Sequence, residues 1–407
     1  MATASANQIV SQAERARGGA SSRAIVLATV LPSLQRGGTE GAASRLSVRL
    51  RERGYEAVII ALSGGGWEGY LTQNSVPTVI LGHDSRSNVS IVHAARIIWS
   101  LTRIFRRLRP DIVSGFLYPM SIWSSLAAWL AGVPVVIANR RDCGFQRAEA
   151  PLPRWLEVLS YRATTRFVVN SCAVAKSLRE QERIASSQIE VIHNGIDVSE
   201  SDTVQSQSYR RTLGIDATSP VVGMMANFWR HKNHLMLVAA ARQVVTEEPG
   251  VVFVLAGADS EYCETVRVAI ARFRLQRTFR VLGGLDNTEE LLGILDIGVL
   301  CSESEGFSNT ILEYMARGLP VIATRVGGNT EAVVDKETGY LVDSHDSAGL
   351  ARAILALVRN PVKRKEMGWR GRERIKAKFR LDRAVGECDA FFQSLIANHL
   401  AAPTKDR

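Results

Sequence analysis

Short apolar runs alternate with amphipathic stretches along most of the 407-residue chain. Runs at 23–31 and 58–62, separated by a glycine-containing loop and a stretch of helical spacing, predict strand, loop, helix and strand in that order. The pattern returns in the second half, where runs at 221–226, 251–257 and 297–300 predict further strands. Strands that alternate with helices in this way predict an α/β protein built on parallel sheets.

The stretch from Phe116 to Ile137 contains no charged residue and is long enough to resemble a membrane span. Pro119 lies near its start, however, and Gly132-Val133-Pro134 interrupts it. We therefore expect a helix of about a dozen residues and then a short strand, each too short to cross a bilayer.

The composition narrows the class of protein. An apolar content of 46% with 22% charged residues is typical of a soluble globular protein, and the length suffices for two domains. The five cysteines lie far apart without a Cys-x-x-Cys pair, which indicates neither a disulfide framework nor a zinc site. A reducing cytoplasm fits this pattern best.

The net charge of +10 is unevenly distributed, because residues 1–200 carry 23 Lys and Arg against 15 Asp and Glu. No aromatic-basic motif, zinc finger or basic zipper accompanies this excess, so we expect no nucleic-acid partner. An anionic membrane surface is the better interpretation. The amphipathic stretch 90–108, with Arg103, Arg106 and Arg107, is either an ordinary helix covering the sheet or a membrane contact.

The stretch 297–331 predicts a strand, a Ser/Glu/Gly loop, a helix and a second strand that runs into Gly327-Gly328. Ser308 or Asn309 is a suitable N-cap, so the loop before the helix presents backbone N–H groups at its positive end, where phosphate binds. Glu305 precedes the helix and Glu313 lies in its second turn. Carboxylates beside an anion site are suited to accepting hydrogen bonds from sugar hydroxyls, and a nucleotide sugar carries both groups.

A diphosphate also needs cations, and Arg230 and Lys232 follow the strand at 221–226. Strand ends of a parallel sheet meet at one edge, so these side chains are expected near the Glu305 loop, although solvated surface charges are the plainer interpretation. The chain contains no Asp-x-Asp, the carboxylate pair that would hold a metal on a diphosphate, so we expect fixed donors and no metal to meet the phosphate charge.

The string Glu305-x7-Glu313, followed by Gly-Leu-Pro-Val-Ile-Ala-Thr and Gly-Gly-x-x-Glu, resembles the donor site of glycosyltransferase family four. These are retaining enzymes of the GT-B architecture, in which two Rossmann-like domains face each other across a cleft. The resemblance implies that Glu305 contacts the donor sugar and that Glu313 contacts the ribose hydroxyls. It also implies that sugar and phosphate are bound by backbone amides of Gly306, Phe307, Ser308 and Asn309.

The same resemblance extends to two other loops. It implies that Gly37 and Gly38 of a Gly-Gly-x-Glu sequence face the donor phosphates, whereas the glycines alone indicate only a tight turn. It places Lys232 on the leaving diphosphate. The position of the family's usual arginine is Asn227 here, so either Arg230 substitutes for it or that charge is lost.

Two further features concern the first domain: one departs from the family's pattern and one agrees with it. The family's common histidine is absent near Arg140 and Arg141, and whether either arginine reaches the cleft is left open. A Val-Ile-x-Asn-Gly-Ile-Asp string at 191–197 resembles the end of the family's first domain. We expect an N-terminal arm at 1–22, an acceptor domain at 23–199, a linker at 200–217, a donor domain at 218–380 and a helix at 381–400 returning to the first domain.

The resemblance implies a retaining, metal-independent transferase that moves a hexose from a UDP- or GDP-sugar by front-face substitution, without a further cofactor. The expected acceptor is lipid-linked or a glycan, at the inner face of the cytoplasmic membrane, in surface polysaccharide synthesis. A nucleotide-sugar epimerase of the same architecture and a non-catalytic subunit that binds sugar nucleotides are the alternatives.

Overall fold

The computed structural model describes residues 24–83, 91–149, 152–198, 203–285 and 288–401, so the arm expected at 1–22 lies outside the described residues. The chain forms two compact units. The first comprises Met1–Asn194 together with Leu381–Arg407, and the second comprises Gly195–Arg380. The last helix therefore belongs to the first unit.

The first unit is built on a seven-stranded parallel sheet of order β3-β2-β1-β4-β5-β6-β7, the order of a Rossmann fold extended by one strand. Its strands are β1 Val26–Ser33, β2 Glu56–Ser63, β3 Thr78–Ile80, β4 Ile112–Phe116, β5 Val135–Arg140, β6 Arg166–Val169 and β7 Ile189–Val191. Its helices are α1 Gly38–Glu52, α2 Glu68–Gln73, α3 Ile91–Leu108, α4 Met120–Ala131, α5 Phe145–Glu149, α6 Arg154–Ala163, α7 Cys172–Ser177 and, after the second unit, α16 Leu381–Ala401.

Helices cover the sheet of the first unit, which explains why β1 and β2 read as continuous apolar runs. The uncharged stretch 116–137 forms α4, which has 12 residues, and then β5, as predicted. Within the described residues, no helix combines the length and the apolar character that a membrane crossing requires. The helix α16 is fixed to this unit by Asp389, which accepts hydrogen bonds from Tyr55 Oη at 2.8 Å and Arg53 Nη1 at 3.1 Å.

The second unit has a six-stranded parallel sheet of order β10-β9-β8-β11-β12-β13, a second Rossmann-like arrangement. Its strands are β8 Val221–Met225, β9 Val252–Ala256, β10 Phe279–Leu282, β11 Ile297–Leu300, β12 Val321–Thr324 and β13 Gly339–Val342. Its helices are α8 Thr203–Thr212, α9 His234–Glu247, α10 Glu261–Arg272, α11 Glu289–Ile294, α12 Asn309–Ala316, α13 Asn329–Ala332, α14 Ser347–Val358 and α15 Pro361–Lys378.

The segment predicted as a linker, 200–217, contains a helix, α8, and this corrects the sequence prediction. Two of its side chains attach it to the second unit. Tyr209 packs against the core, and Arg210 Nη2 donates to the Ile294 carbonyl at 2.9 Å and to Asp296 Oδ2 at 3.2 Å. The polar composition that suggested a loose linker is therefore that of a surface helix.

Candidate functional site

The predicted βαβ unit is present as β11, α12 and β12, and it fixes the start of α12 at the carboxyl edge of the second sheet. Ser308 is the N-cap, and its Oγ accepts a hydrogen bond from the Ile311 amide at 3.4 Å. The buried Tyr314 ties α12 to β8, because its Oη accepts from the Met225 amide at 2.7 Å and donates to the Gly223 carbonyl at 3.2 Å. The helix ends at Ala316, and Gly318, two residues later, leaves the helical path with a φ of 78°.

The loop before α12 contains backbone hydrogen-bond donors that a ligand can use. Within the part of the chain that the structure describes, the backbone N–H groups of Gly306 and Ser308 have no hydrogen-bond acceptor. They lie at the positive end of the helix dipole. This end of α12 can therefore donate to an anion.

Lys232 and Glu305 lie 73 residues apart in the chain and meet at this loop. Lys232 Nζ is 2.6 Å from Glu305 Oε1, and Ser302 Oγ donates to the same oxygen at 2.6 Å. Only 18% of the Lys232 side chain and 10% of the Glu305 side chain are exposed. The structure thus brings together two residues that the sequence placed in one site, and adds Ser302, which sequence reasoning missed because a serine in a loop carries no signal.

The glycine turn after β12 supports the backbone of Glu305. Gly327 has a φ of 47°, and a Cβ at this position would lie 1.7 Å from the Glu305 carbonyl oxygen. The Gly328 amide donates to the Gly306 carbonyl at 2.9 Å. The sequence predicted this turn, but its contact with the Glu305 loop is visible only in the structure.

The Lys232 turn is joined to the Glu305 loop through the backbone, because the Glu303 amide donates to the His231 carbonyl at 2.7 Å. Burial, with a smaller effect of the neighbouring Lys232 charge, lowers the pKa of His231 to about 4. Burial likewise lowers the pKa of His234 to about 4. Both imidazoles are therefore neutral at physiological pH, and Lys232 is the cation that this turn brings to Glu305.

The other predicted residues of this region are less closely grouped. Arg230 is exposed, and it lies near enough to Tyr262 for its charge to oppose the burial that raises the tyrosine pKa. Asn227 Oδ1 accepts from the Ala258 amide at 3.0 Å, which joins the loops after β8 and β9. Arg230 on the diphosphate and Asn227 as a donor ligand stay predictions.

The predicted residues on α12 and before it take different positions. The Phe307 ring is buried against Phe379, with centroids 5.3 Å apart, so it anchors the loop to the core. Asn309 is the first residue of α12 and is partly buried. Glu313 lies in the second turn and is also partly buried. Its contact with ribose hydroxyls stays a prediction.

In the first unit, Gly37 is the N-cap of α1, and Gly38 is its first residue. A Cβ on Gly37 would lie 2.2 Å from Glu40 Oε2, so the carboxyl group occupies the space that a side chain would need. Burial raises the pKa of Glu40 to about 7. The glycine thus accommodates a carboxyl group as well as a turn, and the contact of Gly37 and Gly38 with donor phosphates stays a prediction.

Glu40→Gln is expected to stabilise the first unit above pH 7. Because the carboxyl pKa is raised on folding, the native state favours the protonated form, and stability is lost as pH rises from about 4.5 to about 7. The difference in unfolding free energy between variant and wild type should grow by about 3 kcal/mol over this range. Thermal unfolding from pH 4.5 to 8 measures it. The exposed Glu52→Gln in the same helix is the control, and equal pH profiles for wild type and Glu40→Gln would contradict the assignment.

A cavity of about 250 Å³ lies in the first unit, whereas Lys232 and Glu305 belong to the second. Its charged wall residues are already paired, because Arg147 Nε and Nη2 donate to the two Glu157 oxygens at 2.7 and 2.8 Å. We therefore take the charged residues at the start of α12, and not this cavity, as the candidate functional site. Among the described residues, no three His, Cys, Asp or Glu side chains are grouped as metal ligands would be.

Comparisons with known proteins agree with this geometry. A model described as Glycosyltransferase Family 4 matches residues 36–200, and one described as Glycosyl transferases group 1 matches residues 205–374. HepE of Anabaena, crystallised with UDP-glucose, has a similar fold, with a TM-score of 0.79 and 19% identity over 91% of this chain and 100% of that chain.

Two curated relatives are named as glycosyltransferases, and a third is named as a synthase. The lipopolysaccharide core biosynthesis glycosyltransferase LpsE of Rhizobium meliloti is 28% identical over 88% of this chain and 97% of its own length. The UDP-Gal:alpha-D-GlcNAc-diphosphoundecaprenol alpha-1,3-galactosyltransferase of Escherichia coli is 25% identical over 68% of this chain and 73% of its own length. The match to N-acetyl-alpha-D-glucosaminyl L-malate synthase of Bacillus anthracis, at 29% identity over 51% of this chain, spans only 54% of that relative.

The two family models together account for both Rossmann-like units, and the relatives' names support a transferase. The chain belongs to glycosyltransferase family four and is a glycosyltransferase with two Rossmann-like domains of the GT-B class.

Proposed function

We propose that this enzyme is a retaining, metal-independent hexosyltransferase that uses a nucleotide sugar, with UDP favoured over GDP as the nucleotide. Its acceptor is a lipid-linked or glycan hydroxyl in surface polysaccharide synthesis. The preference for UDP rests on the UDP-glucose complex of HepE and the UDP-galactose named for the Escherichia coli relative. The acceptor class rests on the diphosphoundecaprenol and lipopolysaccharide named for two relatives.

One observation carries the proposal: the Lys232–Glu305 pair, with its 2.6 Å contact, lies at the loop that begins α12. A diphosphate bound there receives a cation from Lys232 and hydrogen bonds from the Gly306 and Ser308 amides. Glu305 then lies next to the sugar hydroxyls. The diphosphate thus meets a cation and N–H donors, and the sugar hydroxyls meet a carboxylate acceptor.

These groups also suit the chemical step. As the bond from the anomeric carbon to the diphosphate oxygen breaks, negative charge grows on the leaving group, and fixed donors in a partly buried site stabilise it. The acceptor oxygen forms the new bond on the same face, and its proton passes to the departing diphosphate. Lys232 supplies the fixed charge that a metal supplies in other transferases.

A product assay tests the proposal. Membrane lipid extract is incubated with the enzyme and each of several labelled UDP- and GDP-hexoses, with and without EDTA, and the product anomer is identified by NMR. We expect labelled lipid from one donor, unchanged by EDTA, with the donor's anomeric configuration. An inverted product or a loss of activity in EDTA would contradict the mechanism, and sugar epimerisation without transfer would indicate the epimerase alternative.

We further propose that α3 and α4 of the first unit contact an anionic membrane at its cytoplasmic face. Trp99 is 64% exposed and Trp129 is 57% exposed. The Arg103 guanidinium lies 5.6 Å from the Trp99 ring centroid, and Arg106 Nη2 donates to the Leu130 carbonyl at 3.1 Å. Exposed tryptophans beside arginines are suited to the lipid interface, where the rings enter the headgroup region and the guanidinium groups meet phosphates.

Replacing Arg103, Arg106 and Arg107 by glutamine is expected to weaken binding to anionic liposomes by about 10²-fold, because each basic residue near the lipid contributes about 1 kcal/mol. Sedimentation with phosphatidylglycerol vesicles measures the effect. The matched control replaces three exposed arginines of the second unit, Arg272, Arg274 and Arg277. Equal losses in both triple variants would show that net charge alone drives binding and would exclude α3 as the contact.

A further inference from the structure

Arg140 is the last residue of β5 and Arg141 follows it, and the structure gives the two side chains different environments. The buried Arg140 donates from Nη2 to Glu182 Oε2 at 3.2 Å and from Nη1 to Ser121 Oγ at 2.8 Å. Its charge is therefore neutralised inside the first unit, and its role is structural.

Among the described residues, Arg141 has only neutral partners. Its Nη1 donates to Asn194 Oδ1 at 2.8 Å, its Nη2 donates to Asn139 Oδ1 at 3.2 Å, and the guanidinium lies 5.0 Å from the Phe116 ring centroid. In the described part of the chain, no carboxylate forms an ion pair with it, and its buried Nε has no acceptor. The remaining neighbour is the buried Cys388 thiol, whose pKa burial raises to about 12, so it is uncharged.

The residues that the structure describes hold this cation in place without supplying a counter-ion. Burial lowers the pKa of Arg141 to about 10, which still leaves it protonated at physiological pH. A partly buried charge without an opposite charge is unfavourable unless a ligand supplies one. Phe116 and Asn139 lie at the ends of β4 and β5, and Asn194 follows β7, at the carboxyl edge where open parallel sheets bind ligands. A planar guanidinium at such an edge is suited to a phosphate group.

We propose that Arg141 binds a phosphate of the acceptor, with Asn139 and Asn194 orienting its guanidinium. The inference rests on the proposed transfer to a lipid-linked acceptor and deepens it, because it names a phosphate ester as the part of the acceptor that the first unit recognises. Lys232 and the α12 loop, in the second unit, serve the phosphates of the donor. The two diphosphates are thus bound by different residues.

Two variants test this assignment. Arg141→Gln removes the charge, and Asn194→Asp places a carboxylate of nearly the same shape 2.8 Å from Arg141 Nη1, which supplies a permanent counter-ion. Geranyl diphosphate serves as the probe for an isoprenoid diphosphate and UDP as the probe for the donor, with both dissociation constants measured by calorimetry.

We expect both variants to bind geranyl diphosphate about 10- to 100-fold more weakly than the wild type, the cost of losing hydrogen bonds to a charged group. UDP affinity should stay within about twofold, since Lys232 is untouched. Asn194→Asp should also raise the melting temperature, because it neutralises a partly buried charge.

Three results would overturn the assignment: a wild type that does not bind geranyl diphosphate, unchanged affinity in both variants, or an equal loss of UDP affinity, which would assign Arg141 to the donor. The proposed function fails separately. If the wild type binds UDP and geranyl diphosphate but transfers no hexose to any lipid-linked or glycan acceptor, the proposed function is wrong while the phosphate site stands. If transfer to a lipid acceptor is the same in the wild type and in both variants, the phosphate site is wrong while the proposed function stands.

Discussion

Lys232→Ala is expected to reduce glycosyl transfer by about 10²- to 10³-fold, the usual cost of removing one fixed donor from a developing oxyanion. The loss has two sources. The leaving diphosphate loses its cation, and Glu305, only 10% exposed, loses the ion-pair partner that holds it beside the phosphate site. Both kcat and the apparent donor affinity should therefore fall, which steady-state kinetics with the nucleotide sugar varied will measure.

The matched control is Lys365→Ala, which removes an exposed lysine from α15 of the same unit. It should leave kcat and donor affinity unchanged. Melting curves of both variants establish that they are folded. Full activity in folded Lys232→Ala would remove this residue from the site, and with it the diphosphate assignment.

Gly327→Ala is expected to reduce transfer by about 10²-fold or more, because a displacement of about 1 Å at a catalytic group has an effect of this size. The added Cβ would lie 1.7 Å from the Glu305 carbonyl oxygen, and a backbone atom cannot rotate away, so the Glu305 loop must move. The φ of 47° adds strain for any residue with a side chain. Initial rates at saturating donor measure the effect.

Gly318→Ala separates this displacement from backbone strain. Gly318 also has a positive φ, of 78°, but an added Cβ would meet only the Gly368 carbonyl oxygen, at 4.0 Å. We expect it to lose about 1 kcal/mol of stability and to keep most of its activity. If both alanine variants lost activity equally, strain and not the Glu305 contact would be responsible.

The central βαβ unit was predictable from the sequence because its signals are local. Ser308 caps α12, Gly318 follows its C-terminal end, and the apolar runs on either side form β11 and β12 as expected. The meeting of Lys232 and Glu305 also followed from a general rule, that carboxyl ends of parallel strands share an edge. Their pairing distance and the hydrogen bond from Ser302 required coordinates.

Features that depend on distant residues were not predictable. Arg140 and Arg141 are equivalent in the sequence, and only Glu182, 42 residues away, distinguishes the paired cation from the unpaired one. The polar segment 200–217 gave no sign that Tyr209 packs on the core of the second unit. Likewise, the contact of Gly327 with Glu305 joins two loops whose local patterns indicate only turns.

The central claim is that the α12 loop and Lys232 bind the diphosphate of a nucleotide sugar. The most direct test is a crystal structure of the enzyme with the UDP-sugar that it binds. We predict that diphosphate oxygens lie within about 3 Å of Lys232 Nζ and of the Gly306 and Ser308 amides, with Glu305 against the sugar hydroxyls. A diphosphate bound elsewhere, with Lys232 still paired only to Glu305, would contradict the account.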